Sequence, residues 1–345
     1  MQHELRASVD LLDGNGVPVE EGWARRPYWR YDRFRVRGGP LRIKEWDYYA
    51  ILSADKGFGV TLTMSDLGYA GLCALCFLDL ERRTATQVDS LAILPLGRTG
   101  LPPAPLEGAA SVLGKKLSLG FRAGGGTRVV EFDAPDFPAP DGGRGLAGRV
   151  ELEQAAGLES MNIVTSWAED RRSFYCNTKV NCLPASGGCT LGGRSYAFDP
   201  MSDFGVLDWG RGRWTYRNRW YWGSASGLAD GKRFGFNLGY GFSDRSPASE
   251  NALMYDGVVH KLEDVTFHIP PGDYTAPWRF SSSDGRFEMD FRPLVDRHSD
   301  MNLGVIRSTQ HQVFGLYSGR AVLDDGRALE VRDFLGFAED VYNRW

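Results

Sequence analysis

Alternation of apolar and polar residues is the feature that most constrains this 345-residue chain. In residues 42–51 and 59–64, successive side chains would point to opposite faces of a sheet. Helical periodicity is scarce by comparison, and residues 335–342 are the best candidate for a short helix. The pattern therefore predicts an all-β fold with few short helices. Further strands are expected at residues 72–80, 127–132, 161–167, 174–182, 216–224, 233–242, 286–292 and 311–317.

Turn residues divide these strands into hairpins and two domains. Asp256-Gly257 lies between two short apolar segments and predicts a type I′ hairpin, because both residues tolerate positive φ. Residues 133–148 concentrate proline and glycine and are interpreted as a loop or linker. A charged turn near residues 168–172 follows it. We place the domain boundary there, giving domains at 1–168 and 169–345.

A faint internal repeat supports two related halves. Trp46 lies in an aromatic segment that is followed by a polar turn and Phe58-Gly59. Trp220 lies in a similar segment, followed by a polar turn and Phe234-Gly235. The spacing between the copies is about half of the chain, which suggests duplication of one β unit. Chance similarity is the alternative explanation.

Charge and cysteine content limit the possible partners and locations. The formal net charge is −4, so no positive surplus is available to attract nucleic acid. No apolar segment is long enough for a membrane span, and the N-terminal residues do not resemble a secretory signal. The five cysteines are sparse and odd in number, which favours free thiols in a reducing compartment. A cytoplasmic location is the expectation, and the oligomeric state is left open.

Residues 206–227 form the segment with the most chemical potential. If residues 216–222 are a strand, Asn218, Trp220 and Trp222 share one face. In the next strand Asn237 alternates with three glycines and is the one large side chain in that row. The glycines would let a flat ligand or another backbone approach closely. Relief of curvature in a barrel wall is the alternative reading.

Asp208 is the candidate acid in this segment. Protonating an apolar substrate requires a carboxylic acid that a dry pocket keeps neutral, with aromatic faces to stabilise positive charge. Asp208 precedes Trp209 and lies close in sequence to Trp214 and Tyr216. The competing interpretation is an ion pair with Arg211 or Arg213, which would keep Asp208 ionised and structural.

Other polar residues offer weaker candidates. His268 and His311 lie on expected strands, where each could transfer a proton or simply be a satisfied core or rim residue. Glu288 and Asp290 share a strand face and could do glycosidase chemistry, although a solvated charge ladder is the simpler reading. Cys73 and Cys76 read as two buried thiols. No metal-ligand spacing or phosphate-binding loop is present, so no metal and no cofactor are expected.

Several motifs resemble an uncharacterised bacterial family, the domain-of-unknown-function 2804 family. They lie at residues 22–25, 206–227, 234–242, 260–270, 287–291 and 310–315. The resemblance extends through most of the chain. It implies no activity.

A more distant resemblance is to two-domain lipocalin-like (calycin) proteins, which include carotenoid hydratases, tocopherol cyclase and pericyclases. The repeated aromatic strand, turn and Phe-Gly strand around Trp46 and Trp220 carries it. The resemblance implies two tandem lipocalin-like antiparallel β-barrel or curved-sheet domains. In that group an Asp shortly before Trp-Gly can lie in the pocket. Asp208 is the nearest match, but here it is directly adjacent to Trp209-Gly210.

These observations lead to one functional hypothesis and two alternatives. The hypothesis is a cofactor-independent hydratase, cyclase or isomerase that acts on an apolar isoprenoid- or polyketide-like small molecule. The alternatives are a carrier of an apolar or amphipathic small molecule and a carbohydrate-active β protein. The candidate catalytic residues are Asp208, Tyr216 and His311. The candidate substrate-binding residues are Trp46, Tyr48, Trp209, Asn218, Trp220, Trp222, Asn237, Tyr240 and His268.

Overall fold

The computed structural model describes residues 2–345, and strands account for most of them. The helices among these residues are two short 3₁₀ turns, Arg33–Arg35 and Pro40–Arg42. The strands are β1 (Val9–Asp10), β2 (Gly22–Ala24), β3 (Trp29–Arg30), β4 (Ile43–Ser53), β5 (Phe58–Asp66), β6 (Ala70–Asp79), β7 (Thr84–Ile93), β8 (Gly108–Val112), β9 (Ser118–Gly124), β10 (Thr127–Pro138), β11 (Arg144–Glu153), β12 (Met161–Trp167), β13 (Asp170–Leu191), β14 (Arg194–Phe198), β15 (Phe204–Arg213), β16 (Arg217–Ala229), β17 (Lys232–Tyr240), β18 (Ala252–Tyr255), β19 (Val258–Lys261), β20 (Val265–His268), β21 (Trp278–Ser282), β22 (Phe287–Asn302), β23 (Arg307–Val322) and β24 (Ala328–Arg344).

The first sheet is built from the N-terminal strands and β13 to β15. Its main path runs β7-β6-β5-β4-β15-β13-β11-β10-β9-β8, and β12, β2 and β14 join it through β13. The sheet is curled. Its curvature brings Tyr49 of β4 against Phe121 of β9, with ring centroids 5.0 Å apart. Apolar side chains from both ends of the path, such as Leu75 and Val130, fill the concave side.

The second sheet contains the strands from β16 onward in the order β19-β18-β17-β16-β24-β23-β22-β21-β20. Aromatic side chains fill its concave side. Phe236 lies 4.9 Å, centroid to centroid, from both Phe287 and Tyr317. The two curled antiparallel sheets and the scarcity of helix confirm the predicted fold class.

The division between the sheets follows hydrogen bonding. Strand β13 pairs with β11 and β15, and β15 pairs with β4, so residues 170–213 belong to the first sheet. Strand β16 begins the second sheet at Arg217. We therefore propose a domain boundary within residues 214–216, rather than at the expected position after residue 168.

Two local predictions are wrong. Residues 335–342 form part of strand β24 instead of a helix, because both faces of the strand are buried, Phe337 against Trp222 and Ala338 in the second core. Residues 133–148 form the end of hairpin β10–β11 instead of a linker. Pro138 is accommodated there because the register between the two strands becomes irregular beyond Ala134.

The Asp256-Gly257 hairpin is confirmed. Tyr255 pairs with Val258 across the turn, and Asp256 and Gly257 have φ values of 49° and 87°. Positive φ at both central residues is what a type I′ turn requires.

The two sheets pack against each other through their convex faces. Two apolar clusters form this contact, one around Trp214 and Tyr175 and the other around Tyr48, Phe314 and Phe337. The hairpins β4–β5 and β16–β17, which contain the repeated aromatic segments, meet here. Tyr48 and Trp222 form an edge contact with centroids 5.6 Å apart. Within residues 2–345, no helix has the length and hydropathy needed to cross a membrane.

Candidate active site between the two sheets

A buried group of polar side chains lies between the two apolar clusters of the inter-sheet contact. Strand alternation creates it: Asp208 faces the contact, whereas its neighbour Trp209 faces the first core. On the second sheet Glu339 and Gln312, which are cross-strand partners, face the contact in the same way. The group consists of the partly buried Trp220 and the buried residues Tyr48, Tyr175, Asn177, Lys179, Asp208, Trp222, Asn237, Glu250, Gln312 and Glu339.

Lys179 is the cation at the centre of this group. Its ammonium lies 2.7 Å from the carboxylate of Asp208, and only 4% of its side chain is exposed. The side-chain amide of Asn177 donates a hydrogen bond to Asp208 over 2.6 Å. The ammonium also lies 3.8 Å from the ring centroid of Trp222, whose indole N–H donates to Asn237. The cation is thus held by one carboxylate and one aromatic face.

Glu339 is a buried carboxyl with neutral hydrogen-bond partners. It accepts from the indole N–H of Trp220 at 3.3 Å and from the amide of Gln312. The same amide donates to the hydroxyl of Tyr48 over 2.9 Å. Burial is the largest influence and raises the pKa of Glu339 to about 7, although Lys179 opposes the shift.

Glu250 is a second buried carboxyl of this kind. It accepts a hydrogen bond from the Tyr175 hydroxyl at 3.2 Å, and burial raises its pKa. Its side chain lies against Gly239, where an added Cβ would be 1.9 Å from the carboxylate. Gly239 in β17 therefore makes room for the side chain of Glu250, rather than for a ligand or for curvature of the sheet alone.

The balance of charge decides which groups hold protons. Three carboxyls, Asp208, Glu250 and Glu339, lie around the single ammonium of Lys179. Asp208 is directly paired with this ammonium, whereas the other two accept only from neutral donors. The guanidinium of Arg297, which donates to Gln312, is a second positive charge near Glu339, but it does not bond to either carboxyl directly. Buried anions without a paired cation are strongly unfavourable. Burial therefore raises the pKa of both Glu250 and Glu339, that of Glu339 to about 7.

Aromatic rings separate these acids from solvent. Trp214 packs against Tyr175, Trp220 and Phe242 with centroid distances of 5.6, 5.6 and 5.1 Å. Tyr175 and Phe242 are themselves in contact at 4.8 Å. Since Tyr175 binds Glu250 and Trp220 binds Glu339, each acid is connected to Phe242 through one or two rings.

Phe242 also lines an open cleft of about 390 Å³ at the edge of the contact. Trp167, Asn218 and the exposed Arg217 contribute to the same cleft. Arg219 lies there too, but it forms two hydrogen bonds to Asp340. The volume falls within the range of small-molecule sites. The cleft and the buried acids are thus two sides of one aromatic wall.

Comparison with known proteins places the chain in a family. The model of the family described as Domain of unknown function (DUF2804) matches residues 2–345. The chain belongs to the DUF2804 family. No curated protein matches the sequence.

Solved structures with the same fold share little sequence with this DUF2804 protein. CghA is 12% identical with a TM-score of 0.57, and the match covers 98% of this chain and 97% of CghA. Kievitone hydratase from Nectria haematococca is 10% identical, with a TM-score of 0.51 and coverage of 88% of each chain. A candidate AttH protein from Nitrosomonas europaea is 14% identical, with a TM-score of 0.52 and coverage of 90% and 95%. These similarities establish a shared two-domain fold.

The structure brings together several of the residues singled out from the sequence. Asp208, Tyr48, Trp220, Trp222 and Asn237 belong to the polar group. Trp46 stacks on Tyr175, with centroids 6.2 Å apart, at the border of the group. Asn218 is buried at the cleft and bonds to Thr215.

Other candidates lie elsewhere. Trp209 packs in the first core, and its neighbour Arg211 pairs with Asp47. The ion pair expected between Asp208 and Arg211 or Arg213 is therefore wrong, since alternation points both arginines to the opposite face from Asp208. Tyr216 is exposed, and its hydroxyl donates to the carbonyl of Val305.

His311, Tyr240 and His268 are also outside the group. His311 precedes Gln312 and so projects from the other face of β23, where it bonds to Asp296 over 2.8 Å. Tyr240 packs on Tyr221 in the second core. His268 is exposed and bonds to Ser281.

Glu288, considered for glycosidase chemistry, and the cysteines Cys73 and Cys76 have structural roles. Glu288 pairs with Arg279 on the exposed face of β22, as in a solvated charge ladder. Cys73 and Cys76 are free and buried, and burial raises the pKa of both thiols to about 11.

Sequence reasoning missed Lys179, Glu250 and Glu339. Lys179 is part of the expected strand at 174–182, where a lysine within a continuously buried segment is the signal that could have identified it. Glu339 was hidden because residues 335–342 were expected to be a helix. Glu250 lies in a short loop before β18, and its burial depends on contacts with the first sheet.

Proposed function

We propose that this protein is a hydratase-, cyclase- or isomerase-type enzyme that protonates an apolar small molecule, with Glu339 as the acid. The observation that carries the proposal is the grouping of three buried carboxyls around one lysine behind an aromatic wall. A carboxyl with a pKa of about 7 can both hold and release a proton near neutral pH. Acid–base chemistry of this type uses the protein's own side chains.

The three reaction types share a first step. A proton passes from Glu339 to a C=C or C=O group of the substrate, which becomes a cation while Glu339 becomes a carboxylate. Addition of water and loss of its proton gives hydration. Attack by a second double bond followed by proton loss gives cyclisation, and proton loss alone gives isomerisation. In each case the proton returned to Glu339 restores the enzyme.

Neighbouring groups stabilise both charged species that proton transfer creates, the carboxylate of Glu339 and the substrate cation. The indole ring of Trp220 donates to Glu339 and stabilises its carboxylate after transfer. Aromatic faces nearby, including Trp222, stabilise a developing cation. Lys179 and Asp208 neutralise each other's charge, so this pair does not exchange the proton. Its role is to set the electrostatic potential that acts on the carboxyl of Glu339.

The comparisons are consistent with this proposal. One similar structure is a hydratase by name, and CghA has also been crystallised with the compound Sch210972. The alternatives derived from the sequence, a carrier and a carbohydrate-active protein, have no comparable group of residues in their favour. The substrate class remains the apolar or amphipathic small molecule proposed from the sequence.

The test compares wild type with Glu339→Gln in an extract of apolar metabolites from the native host. Untargeted mass spectrometry would follow which compounds disappear and which appear. A gain of one water in mass indicates hydration, whereas a new retention time at unchanged mass indicates cyclisation or isomerisation. We expect conversion by wild type and a loss of at least about a hundredfold in the variant.

Two control variants make the result specific. Glu330→Gln changes an exposed carboxylate on the same strand and should convert the substrate at the wild-type rate. Glu250→Gln tests the second buried acid. If Glu250→Gln, but not Glu339→Gln, abolished conversion, the assignment to Glu339 would be wrong. Binding of a metabolite without conversion by wild type would favour a carrier instead.

A further inference from the structure

Arg297, Gln312 and Glu339 form a row of side chains across three neighbouring strands. Arg297 in β22 is the register partner of Gln312 in β23, and Gln312 is the partner of Glu339 in β24. Directly opposed residues of antiparallel strands project from the same face of the sheet, so all three side chains point into the contact with the first sheet. Gln312 is fully buried and bonds to both of its neighbours. The row therefore connects a partly buried arginine with the proposed acid.

The guanidinium of Arg297 donates only to neutral groups. Its Nη1 donates to the amide oxygen of Gln312 and, over 3.3 Å, to the hydroxyl of Thr61. Its Nε donates to the amide oxygen of Gln87 over 2.7 Å. Thr61 and Gln87 belong to β5 and β7 of the first sheet. Arg297 thus bridges the two sheets, and none of these partners neutralises its charge.

Arg297 determines which way round the amide of Gln312 lies. A guanidinium has N–H donors and no acceptor, so only the amide oxygen of Gln312 can bond to it. The amide NH₂ is then turned to the other side, where it donates to the hydroxyl of Tyr48 over 2.9 Å and to Oε1 of Glu339. In the reversed orientation the NH₂ would oppose the N–H groups of Arg297. The amide therefore keeps this orientation while Arg297 is in place.

The orientation of Gln312 decides which oxygen of Glu339 carries the proton. A protonated carboxyl group has one oxygen that only accepts and one hydroxyl oxygen that donates. Oε1 receives the amide N–H of Gln312, which suits the oxygen that only accepts. Oε2 receives the longer, 3.3 Å bond from the indole of Trp220, whose ring packs on Trp214 in the aromatic wall. The proton is thus expected on Oε2.

The charged groups around Glu339 come from both sheets. Lys179 and Asp208 of the first sheet neutralise each other, and Glu250 is bonded to a tyrosine hydroxyl instead. Burial raises the Glu339 pKa to about 7 and Asp208 adds to the rise, whereas Lys179 and Arg297 lower it. Arg297 is the one of these two cations that has no carboxylate partner within the site.

We propose that Arg297 is a positioning residue for the acid: it holds the amide NH₂ of Gln312 towards Oε1 of Glu339 and so keeps the transferable proton on Oε2. This inference rests on the proposed function, in which Glu339 gives up that proton. Oε2 is the oxygen bonded by Trp220, so the proton leaves on the side of the aromatic wall. Because Arg297 is itself held by the first sheet, the acid is oriented only when the two sheets are in contact.

The experiment follows the Glu339 carboxyl directly. The full chain, labelled with ¹³C at the side-chain carboxyl carbons of glutamate, would be titrated by NMR, and the Glu339 signal is the one missing in Glu339→Gln. We expect Arg297→Met to move the Glu339 titration midpoint to higher pH by about one unit, because a nearby positive charge is lost and Gln312 is free to turn its oxygen towards the protonated acid. An unchanged or lower midpoint would overturn the proposal.

A double-mutant cycle separates orientation of the amide from a direct effect of charge. If Arg297 acts through Gln312, Arg297→Met should move the midpoint much less in a Gln312→Met background. An equal movement in both backgrounds would reject the positioning role.

Arg292→Met is the matched control, since Arg292 is an exposed arginine on the same strand and pairs with Asp333. Its midpoint should equal that of wild type. A movement as large as in Arg297→Met would assign the effect to net charge and overturn the proposal. If Arg297→Met does not fold, Arg297→Gln takes its place, because it is neutral and keeps hydrogen-bonding groups. The same upward movement is then expected, and its absence would refute the inference.

The result is separable from the proposed function, because the NMR titration needs no turnover. Loss of conversion in Glu339→Gln together with an unmoved midpoint in Arg297→Met would reject this inference and leave the proposed function standing. A moved midpoint that disappears in the Gln312→Met background, with no conversion by wild type, would retain the orientation of Gln312 and reject Glu339 as an acid in catalysis.

Discussion

Lys179 and Asp208 are cross-strand partners in β13 and β15, and their charged atoms lie 2.7 Å apart beneath the ring of Trp222. The ammonium of Lys179 is therefore paired with Asp208 and with no other carboxylate of the described residues. Glu250 and Glu339 are consequently left with neutral donors, which favours their protonated forms. The residue that looked most like an acid in the sequence is thus the counter-ion of Lys179, and the carboxyls whose pKa burial raises lie across the contact.

Asp208→Asn should destabilise the fold by about 3–5 kcal/mol, because it leaves the ammonium of Lys179 buried without a counter-charge. Urea unfolding at neutral pH would measure the change. The double variant Asp208→Asn, Lys179→Met removes both charges and should recover a large part of the loss. A single variant as stable as wild type would show that the pair carries no stabilising interaction.

Stability should also depend on the titration of Glu339. The folded protein holds this proton more tightly than the unfolded chain, since burial raises the pKa from 4.5 to about 7. The contribution is therefore fully present below about pH 4.5 and is lost as the pH rises to about 7. Each pKa unit of separation corresponds to about 1.4 kcal/mol.

The comparison variant is Glu339→Gln, which cannot titrate. We expect the free energy of unfolding of wild type to fall relative to that of the variant between about pH 4.5 and about pH 7. Above this window, plots of the two free energies against pH should be parallel. Urea titrations at several pH values would show the difference. Parallel curves throughout the window would mean that the Glu339 pKa is the same in both states.

The sequence predicted the fold better than the site. Alternation was enough to predict an all-β chain, because a strand's two faces are encoded locally, and the repeat around Trp46 and Trp220 predicted two related halves. The curled shape of the sheets was implied by the resemblance to lipocalin-like proteins. Local pattern also explains the correct Asp256-Gly257 turn. The end of the chain was misread because residues 335–342 are buried on both faces, which removes the period that distinguishes strand from helix.

The site depends on which faces meet, and that is a property of the whole chain. Asp208 and Trp220 were identified because they lie in one dense segment. Lys179, Glu250 and Glu339 come from three separate segments, and two different sheets supply them. A tightly spaced motif cannot reveal such a group. His311 was proposed as catalytic for a related reason. Its strand was predicted correctly, but the sequence did not show which face of that strand meets the first sheet.

Gly239 should be intolerant of a side chain. An alanine Cβ there would overlap the Glu250 carboxylate and force it out of its contact with Tyr175. We expect Gly239→Ala to destabilise the protein by about 1–3 kcal/mol in thermal or urea unfolding. Gly120→Ala in β9 is the control, because its Cβ would meet only ordinary contacts. Equal effects of the two substitutions would show that Glu250 moves without penalty.

His311 should be dispensable for conversion. It projects from the face of β23 opposite to Gln312 and Glu339, and it stacks on Tyr274 with centroids 3.6 Å apart. We expect His311→Asn to convert the substrate at the wild-type rate while losing some stability with the Asp296 hydrogen bond. The host-extract assay with purified variant measures this. A loss of conversion at unchanged stability would place the reaction on the concave side of the second sheet.

Phe242 should control access to the acids, since it is the ring that faces the cleft and also contacts both Trp214 and Tyr175. Phe242→Ala removes that barrier, so we expect faster association of an apolar aromatic probe, 2-acetylnaphthalene, in stopped-flow measurements of indole fluorescence. The lost packing should reduce stability by about 1–3 kcal/mol, less than for a fully buried phenylalanine. Phe34→Ala, at a position 93% exposed, controls for the substitution itself and should change neither quantity. If the association rate were unchanged in Phe242→Ala, ligands would have to reach Glu339 by a route that does not pass the cleft.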